Sequence, residues 1–328
     1  MDRPVLVTGG SGFIGRHLVS ALQGQGHRVR VLLRRPEIAS SLTALGAEVV
    51  VGDLLDRPAI ERAASGVRGV FHLAGQLFTP GVRAQTYMDL HVGATAALLQ
   101  ACAGADRLDF FVLCSTTGVH GATGAAPARE EDPGNPQNAY ELTKAEGEHA
   151  ATEIAKRAGL PLVIARPGLV YGPGDRHLLG WFRAIHGGYY RVIGPGANRF
   201  HPIYVSDLVR ALLLCESAAS VACRAYHLVG SHAVTVRELS DAIGFAVKRR
   251  VPRMHIPAPA AFVIGAALEA LPIARRALPL TRSRVRFLLQ NRAYDGTRAR
   301  QELGFVPGID LAEGLSRTVA WYRENGLL

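Results

Sequence analysis

Val5-Leu6-Val7-Thr8-Gly9-Gly10-Ser11-Gly12-Phe13-Ile14-Gly15 decides how the rest of the chain is read. An apolar run of strand type comes first. Glycines follow at 9, 12 and 15, and Phe13, Ile14, Leu18 and Leu22 then recur at helical spacing. Strand, glycine turn and helix in that order make a seat for a pyrophosphate. Gly9 permits the tight turn, Gly12 lets the backbone approach the ligand, and Gly15 lets helix and strand pack closely. The phosphates would lie on the N–H groups that open the helix, where the dipole favours negative charge.

Working outward, four further apolar runs alternate with helical segments at βαβ spacing: 28–33, 48–54, 69–75 and 110–114. That alternation predicts an α/β fold with a parallel, doubly wound sheet of Rossmann type. The second run ends in Arg34-Arg35. An acid at this place would hold a ribose 2′-hydroxyl; two cations suit a 2′-phosphate. NADP is therefore the expected cofactor, ahead of NAD. Asp53 follows the third run. It is placed either to bond the adenine amino group or to cap the helix near 57–64. Ala74 and Gly75 follow the fourth run and are small enough for a cofactor to pass. His72, inside that run, reads as a core histidine.

The fifth run ends in Ser115-Thr116-Thr117, hydroxyls at the ligand edge of the sheet. A helix is expected over about 138–158, and it carries Tyr140 and Lys144. A spacing of four puts both on one face. A free phenol, with a pKa near 10, is a poor acid–base group at neutral pH. A cation beside it would lower that pKa. With Thr116 orienting the substrate oxygen, Tyr140 would move the proton that accompanies a hydride.

These motifs, together with Arg166-Pro167-Gly168-Leu169-Val170-Tyr171-Gly172-Pro173-Gly174, make the chain resemble the extended short-chain dehydrogenase/reductases. That superfamily is often labelled NAD-dependent epimerase/dehydratase. The resemblance runs over nearly the whole length and is similar in style to the 3β-hydroxysteroid-dehydrogenase and dihydroflavonol-reductase branch. It implies Thr116, Tyr140 and Lys144 as catalytic residues, with Ser115 as the fallback for Thr116. It implies cofactor contacts from Gly9, Gly12, Phe13, Ile14, Gly15, Arg34, Arg35, Asp53, Leu54, Leu73, Ala74, Gly75 and Pro167, besides Tyr140 and Lys144. The Arg166-Pro167 segment would close over the nicotinamide end. A dinucleotide-binding domain over 1–172, which also receives segments returning near 199–230, would precede a smaller substrate-binding region over 173–328. A homodimer through the helices at about 85–104 and 138–158 stays open. One departure is His91, where many members carry asparagine.

Composition narrows the classes. The 328 residues are 48% apolar, enough for a large core. The net charge of +10 comes with scattered arginines and no module that reads nucleic acid, so none is expected as a partner. The four cysteines have no paired or metal spacing, which points to free thiols, no metal and a reducing cytoplasm. No leader is expected before a strand that starts at Val5.

Two stretches bear on the substrate. Nucleotide-sugar epimerases of the family carry Arg-Asp-Phe/Tyr before Val205-Ser206-Asp207; in register here stand Phe200 and His201, with Arg199 one place off. One residue of offset turns a strand side chain to the other face. Pro257 to Leu271 is the most apolar stretch, short for a membrane span. It is expected to be buried against the substrate region. An apolar lid or a membrane-surface contact through 258–286, beside the basic clusters at 275–276 and 282–286, stays open but is not expected. The leading expectation is hydride transfer between NADP(H) and a secondary alcohol or ketone of apolar character. A nucleotide-sugar epimerase is the alternative, and a non-catalytic NADP-binding sensor the second.

Overall fold

The computed structural model describes residues 3–104, 108–218, 223–270 and 280–328. The opening stretch forms β1 (Val5–Thr8) and α1 (Phe13–Gly24). Then come β2 (Val29–Leu33), α2 (Ala39–Thr43), β3 (Glu48–Val51), α3 (Arg57–Ala64) and β4 (Gly69–His72). Next are α4 (Ala84–Met88), α5 (Ala94–Ala103), β5 (Phe110–Cys114), α6 (Ala139–Ala158) and β6 (Leu162–Pro167).

The second half supplies β7 (Leu169–Tyr171), α7 (Leu179–His186), β8 (Val192–Ile193), β9 (Arg199–Phe200) and β10 (Pro202–Tyr204). It continues with α8 (Val205–Ser217), β11 (Arg224–Leu228), β12 (Val234–Thr235) and α9 (Val236–Val247). It ends with β13 (His255–Ile256), α10 (Ala258–Glu269), α11 (Arg282–Leu288), α12 (Thr297–Leu303) and α13 (Leu311–Glu324).

Seven strands form one parallel sheet in the order β11-β6-β5-β4-β1-β2-β3. The order reverses direction at β1 and β4, and ligands bind such sheets at that switch point, beyond the carboxyl ends. Burial follows the period of two. Val5 and Val7 pack with Leu18, Leu22, Leu208 and Leu212, while Leu6 packs with Leu98, Leu99, Ala151 and Ala155. Each side of the sheet is thus covered by helices, as a parallel sheet requires. The sixth and seventh strands come from 162–167 and 224–228. A separate core under α7, α9 and α13 includes Phe182, Ile243, Val319 and Tyr322. Cys102, Cys114 and Cys215 are buried free thiols and Cys223 is half-buried.

Two expectations need correction. The helix over 85–104 is not one α-helix. Asp89–Gly93 forms a π-turn between α4 and α5. Gly147 of α6 packs onto the His91 backbone there so tightly that a Cβ on it would overlap the His91 carbonyl. The apolar helix α10 is not buried. Only Ala261 and Gly265 are, and Val263 is 69% exposed. Among the described residues, its neighbours α11 and the β8–β13 ribbon offer a core of three buried residues, Ile193, Ala261 and Val285. The Arg275-Arg276 cluster lies outside the described residues.

Candidate active site

Gly9 takes a φ of +72°, and a Cβ on it would lie 2.7 Å from the Ala74 nitrogen. The Gly12 N–H donates to the Gly9 carbonyl at 2.9 Å. Gly12 is the N-cap of α1, no side chain caps it, and no acid lies in the first turn. A bare positive helix end at the switch point is a seat for a pyrophosphate. Phe13 and His17 meet the turn at Gly172-Pro173-Gly174; His17 Nε2 is 2.8 Å from the Pro173 carbonyl oxygen. Ile14 and Gly15 continue α1, and a Cβ on Gly15 would overlap the Gly9 carbonyl.

Arg34 and Arg35 leave β2 exposed. Arg34 Nη1 is 3.9 Å from Asp53 Oδ2. Asp53 does not cap α3, whose N-cap is Asp56. It accepts the Leu55 N–H at 2.9 Å and so fixes the turn through Leu54. Leu73 and Ala74 donate their N–H groups to the Thr8 carbonyl and the Thr8 hydroxyl, at 3.2 and 3.3 Å. His72 is a core residue as expected, paired with Thr8 Oγ1 at 2.6 Å and Thr95 Oγ1 at 3.0 Å.

Asn138 caps α6 by accepting the Glu141 N–H at 3.0 Å. Tyr140 therefore lies in the first turn of a 20-residue helix, where the dipole favours a phenolate. The Thr116 side chain draws the Tyr140 pKa down, the sense expected of a hydroxyl facing the phenol oxygen. Thr116 Oγ1 also accepts the Gly118 N–H at 3.0 Å, which leaves its O–H free to donate. Ser115, the fallback, has a buried hydroxyl without a partner. Thr117 donates to the Pro167 carbonyl at 3.1 Å. The Arg166 side chain does not reach this edge. It grips Glu148, with Nη2 2.6 Å from Oε2.

Lys144 Nζ donates to the Cys114 carbonyl at 2.9 Å. A Cβ on Gly75 would lie 3.4 Å from that nitrogen. Thr116, Tyr140, Lys144 and Gly75 thus meet at the carboxyl edge of β4 and β5. With no cofactor bound, the Tyr140 phenol lies above its ordinary value. Burial first and then the neighbouring Cys114 push the phenol up, and Thr116 works the other way. Burial also lowers the pKa of Lys144, and its ammonium is turned onto a carbonyl.

His91 was legible only as a departure; its role comes from the fold. The Gln76 N–H donates into Nε2 at 3.1 Å, so Nδ1 carries the proton and donates to Thr143 Oγ1 at 2.9 Å. The Thr143 hydroxyl donates to the Ala139 carbonyl at 2.7 Å, one residue before Tyr140. The imidazole also stands edge-on to Tyr140, with centroids 5.5 Å apart and planes at 79°. Burial, then the nearby Lys144, push its pKa down to about 3, so it is neutral at physiological pH and carries no proton by titration. A second contact had no local signal. Arg292 Nη1 is 2.8 Å from Glu141 Oε1, with both side chains buried.

Burial holds five histidines low: His72, His91 and His227 near 3, His120 and His201 near 4. In an unfolded chain they titrate near 6.5. Their contribution is therefore full above about pH 6.5 and is lost as pH falls from there toward 4. Unfolding at pH 5 should take up about five protons more than unfolding at pH 8 from this source. Urea melts across that range test it; a stability flat from pH 7 to 5 would contradict it.

With the geometry in place, comparisons decide the family. The model of the NAD dependent epimerase/dehydratase family matches residues 5–226. The chain belongs to the NAD-dependent epimerase/dehydratase family. Among curated members, it is 32% identical to sterol demethylase protein B of Methylococcus capsulatus, covering 98% of this chain and 99% of that protein. It is 31% identical to 2-alkyl-3-oxoalkanoate reductase of Stenotrophomonas maltophilia, covering 96% and 98%. Among solved structures, MoeE5 in complex with UDP-glucose and NAD is 28% identical with a TM-score of 0.76, covering 98% of this chain and 99% of that one. The family thus spans reductases and enzymes that bind nucleotide sugars, on a nicotinamide cofactor. The chain is an enzyme of this extended short-chain dehydrogenase/reductase superfamily.

Proposed function

We propose that the protein is an NADP(H)-dependent oxidoreductase acting on a secondary alcohol or ketone with an apolar body. The observation that carries this reading is the Thr116–Tyr140 hydroxyl pair, set at the sheet edge beside Lys144. The cofactor, when bound, supplies or accepts the hydride. Pyrophosphate would rest on the start of α1, and Lys144 would hold the nicotinamide ribose. In the reducing direction Tyr140 gives its proton to the carbonyl oxygen, and the Thr116 O–H orients that oxygen. The positive start of α6 steadies the phenolate that results. His91 positions: through Thr143 and the Ala139 carbonyl it fixes the first turn of α6.

Phe200 supports an apolar substrate. It is buried where sugar-nucleotide epimerases of the family carry an arginine, and Arg199 turns away to the Ala125 carbonyl. The two curated relatives named above are called sterol demethylase protein B and 2-alkyl-3-oxoalkanoate reductase, names that fit such a substrate. The likeness to MoeE5 favours a second reading, a nucleotide-sugar epimerase. The two differ in redox balance. Stoichiometric NADPH oxidation with apolar ketones supports the first; redox-neutral isomerisation of a UDP-sugar would replace it.

Exposed Arg34 supports NADP(H). Charge-assisted bonds to a 2′-phosphate contribute about 1.5–3 kcal/mol. Calorimetry should show NADPH binding roughly 10–100-fold tighter than NADH, a ratio that Arg34→Asp inverts. Equal affinities in the unsubstituted protein would remove the case for Arg34.

A further inference from the structure

The surface of α10 departs from what a soluble helix presents. Pro259, Ala260, Val263, Ile264, Ala266 and Ala267 are all exposed. At 100° per residue they share one arc of roughly 160°, and that arc holds no polar side chain. The opposite side, Ala261 and Gly265, packs onto α11 and β8–β13. Met254, just before β13, is 71% exposed beside exposed Arg253.

Charge is concentrated on the same stretch. Residues 248–286 contain nine Lys and Arg and one acid, Glu269, a net +8 in a chain whose total is +10. Glu269 is itself taken by Arg282 Nε at 2.8 Å. Exposed Arg253 and Arg286 lie on the segments that flank the helix on either side.

We propose that α10 and its arginine flanks form an interfacial element that seats the protein on anionic lipid bilayers. An arc without hydrogen-bonding side chains matches the acyl boundary, and the flanking guanidinium groups match anionic headgroups. No described helix is long and apolar enough to cross a membrane, so α10 lies in the plane of the interface. A second copy is a poor occupant. Two-fold pairing through this face would bring two strongly cationic surfaces together. A nucleic acid has no use for the apolar arc. The inference is independent of the oxidoreductase reading, because it needs neither cofactor nor substrate.

The test is co-sedimentation of the full chain with phosphatidylcholine vesicles, with and without about 30% phosphatidylglycerol. The protein should pellet with the anionic vesicles, and binding should fall at least about tenfold on neutral vesicles or in about 0.5 M salt. The double substitution Val263→Glu, Ile264→Glu should cut anionic binding by about tenfold or more, with melting temperature and circular dichroism unchanged. Three results overturn the proposal. The protein stays in the supernatant with anionic vesicles; or the double variant, shown folded by its melt, binds like the unsubstituted chain; or the substitutions dissolve a dimer while vesicles bind nothing, which assigns the face to a second copy.

Discussion

Tyr140→Phe is expected to lower kcat by about 10²–10⁴-fold, the range for removing a positioned acid–base group. Affinity for the cofactor should change by no more than a few-fold, and the melting temperature should hold. The phenyl ring keeps its edge contact with His91 and its neighbour Tyr87, centroids 5.5 and 6.5 Å away. What disappears is the hydroxyl that meets Thr116. Burial raises the pKa of the Tyr140 phenol, so the unsubstituted enzyme holds it protonated at neutral pH. Reduction should therefore run well at neutral pH, while oxidation needs the phenolate and should rise toward alkaline pH. Steady-state kinetics in both directions check this. Turnover undiminished in Tyr140→Phe would remove the tyrosine from the chemistry.

Arg292→Met is expected to be the most damaging substitution far from the reacting groups in sequence. The Arg292–Glu141 pair is 2.8 Å long, with side chains 7% and 4% exposed. Removing one partner of a buried pair costs about 3–5 kcal/mol, because the other charge is left uncompensated. Glu141 keeps the Gln137 N–H at 2.7 Å, which places the loss at the lower end. A melting temperature lower by roughly 5–10 °C should follow. Glu141 also adjoins Tyr140 and raises its pKa. Without the arginine that influence grows, so the alkaline limb of oxidation should move to higher pH. Adding Glu141→Gln should recover much of the lost stability, and a double-mutant cycle measures the coupling. A melt within a degree or two of the parent would show the pair to be dispensable.

Local pattern carried much of the architecture. Each of the first five strands is an apolar run, and each was readable without a partner. The spacing of Tyr140 and Lys144 was readable too, since it depends only on the helical turn. What stayed hidden depends on contacts distant in sequence. The π-turn at 89–93 packs against Gly147 of another helix, a contact no local window reports. The rise in the Tyr140 pKa reflects the depth of the site, which spacing does not report. Arg292 meets Glu141 across a gap that no local window spans. The exposure of α10 was not legible because an apolar segment usually finds a core, and among the described residues the local core is too small to cover it.

His91 is wedged between two residues that have no side chain. A methyl group at Gly75 would sit 3.1 Å from its Nε2, and one at Gly147 would overlap its carbonyl. An imidazole fills the gap that results. Substitution here runs more easily in one direction: exchanging the ring for a smaller amide leaves slack that solvent or a small shift can absorb, whereas enlarging either flank jams the seam between α6 and the π-turn.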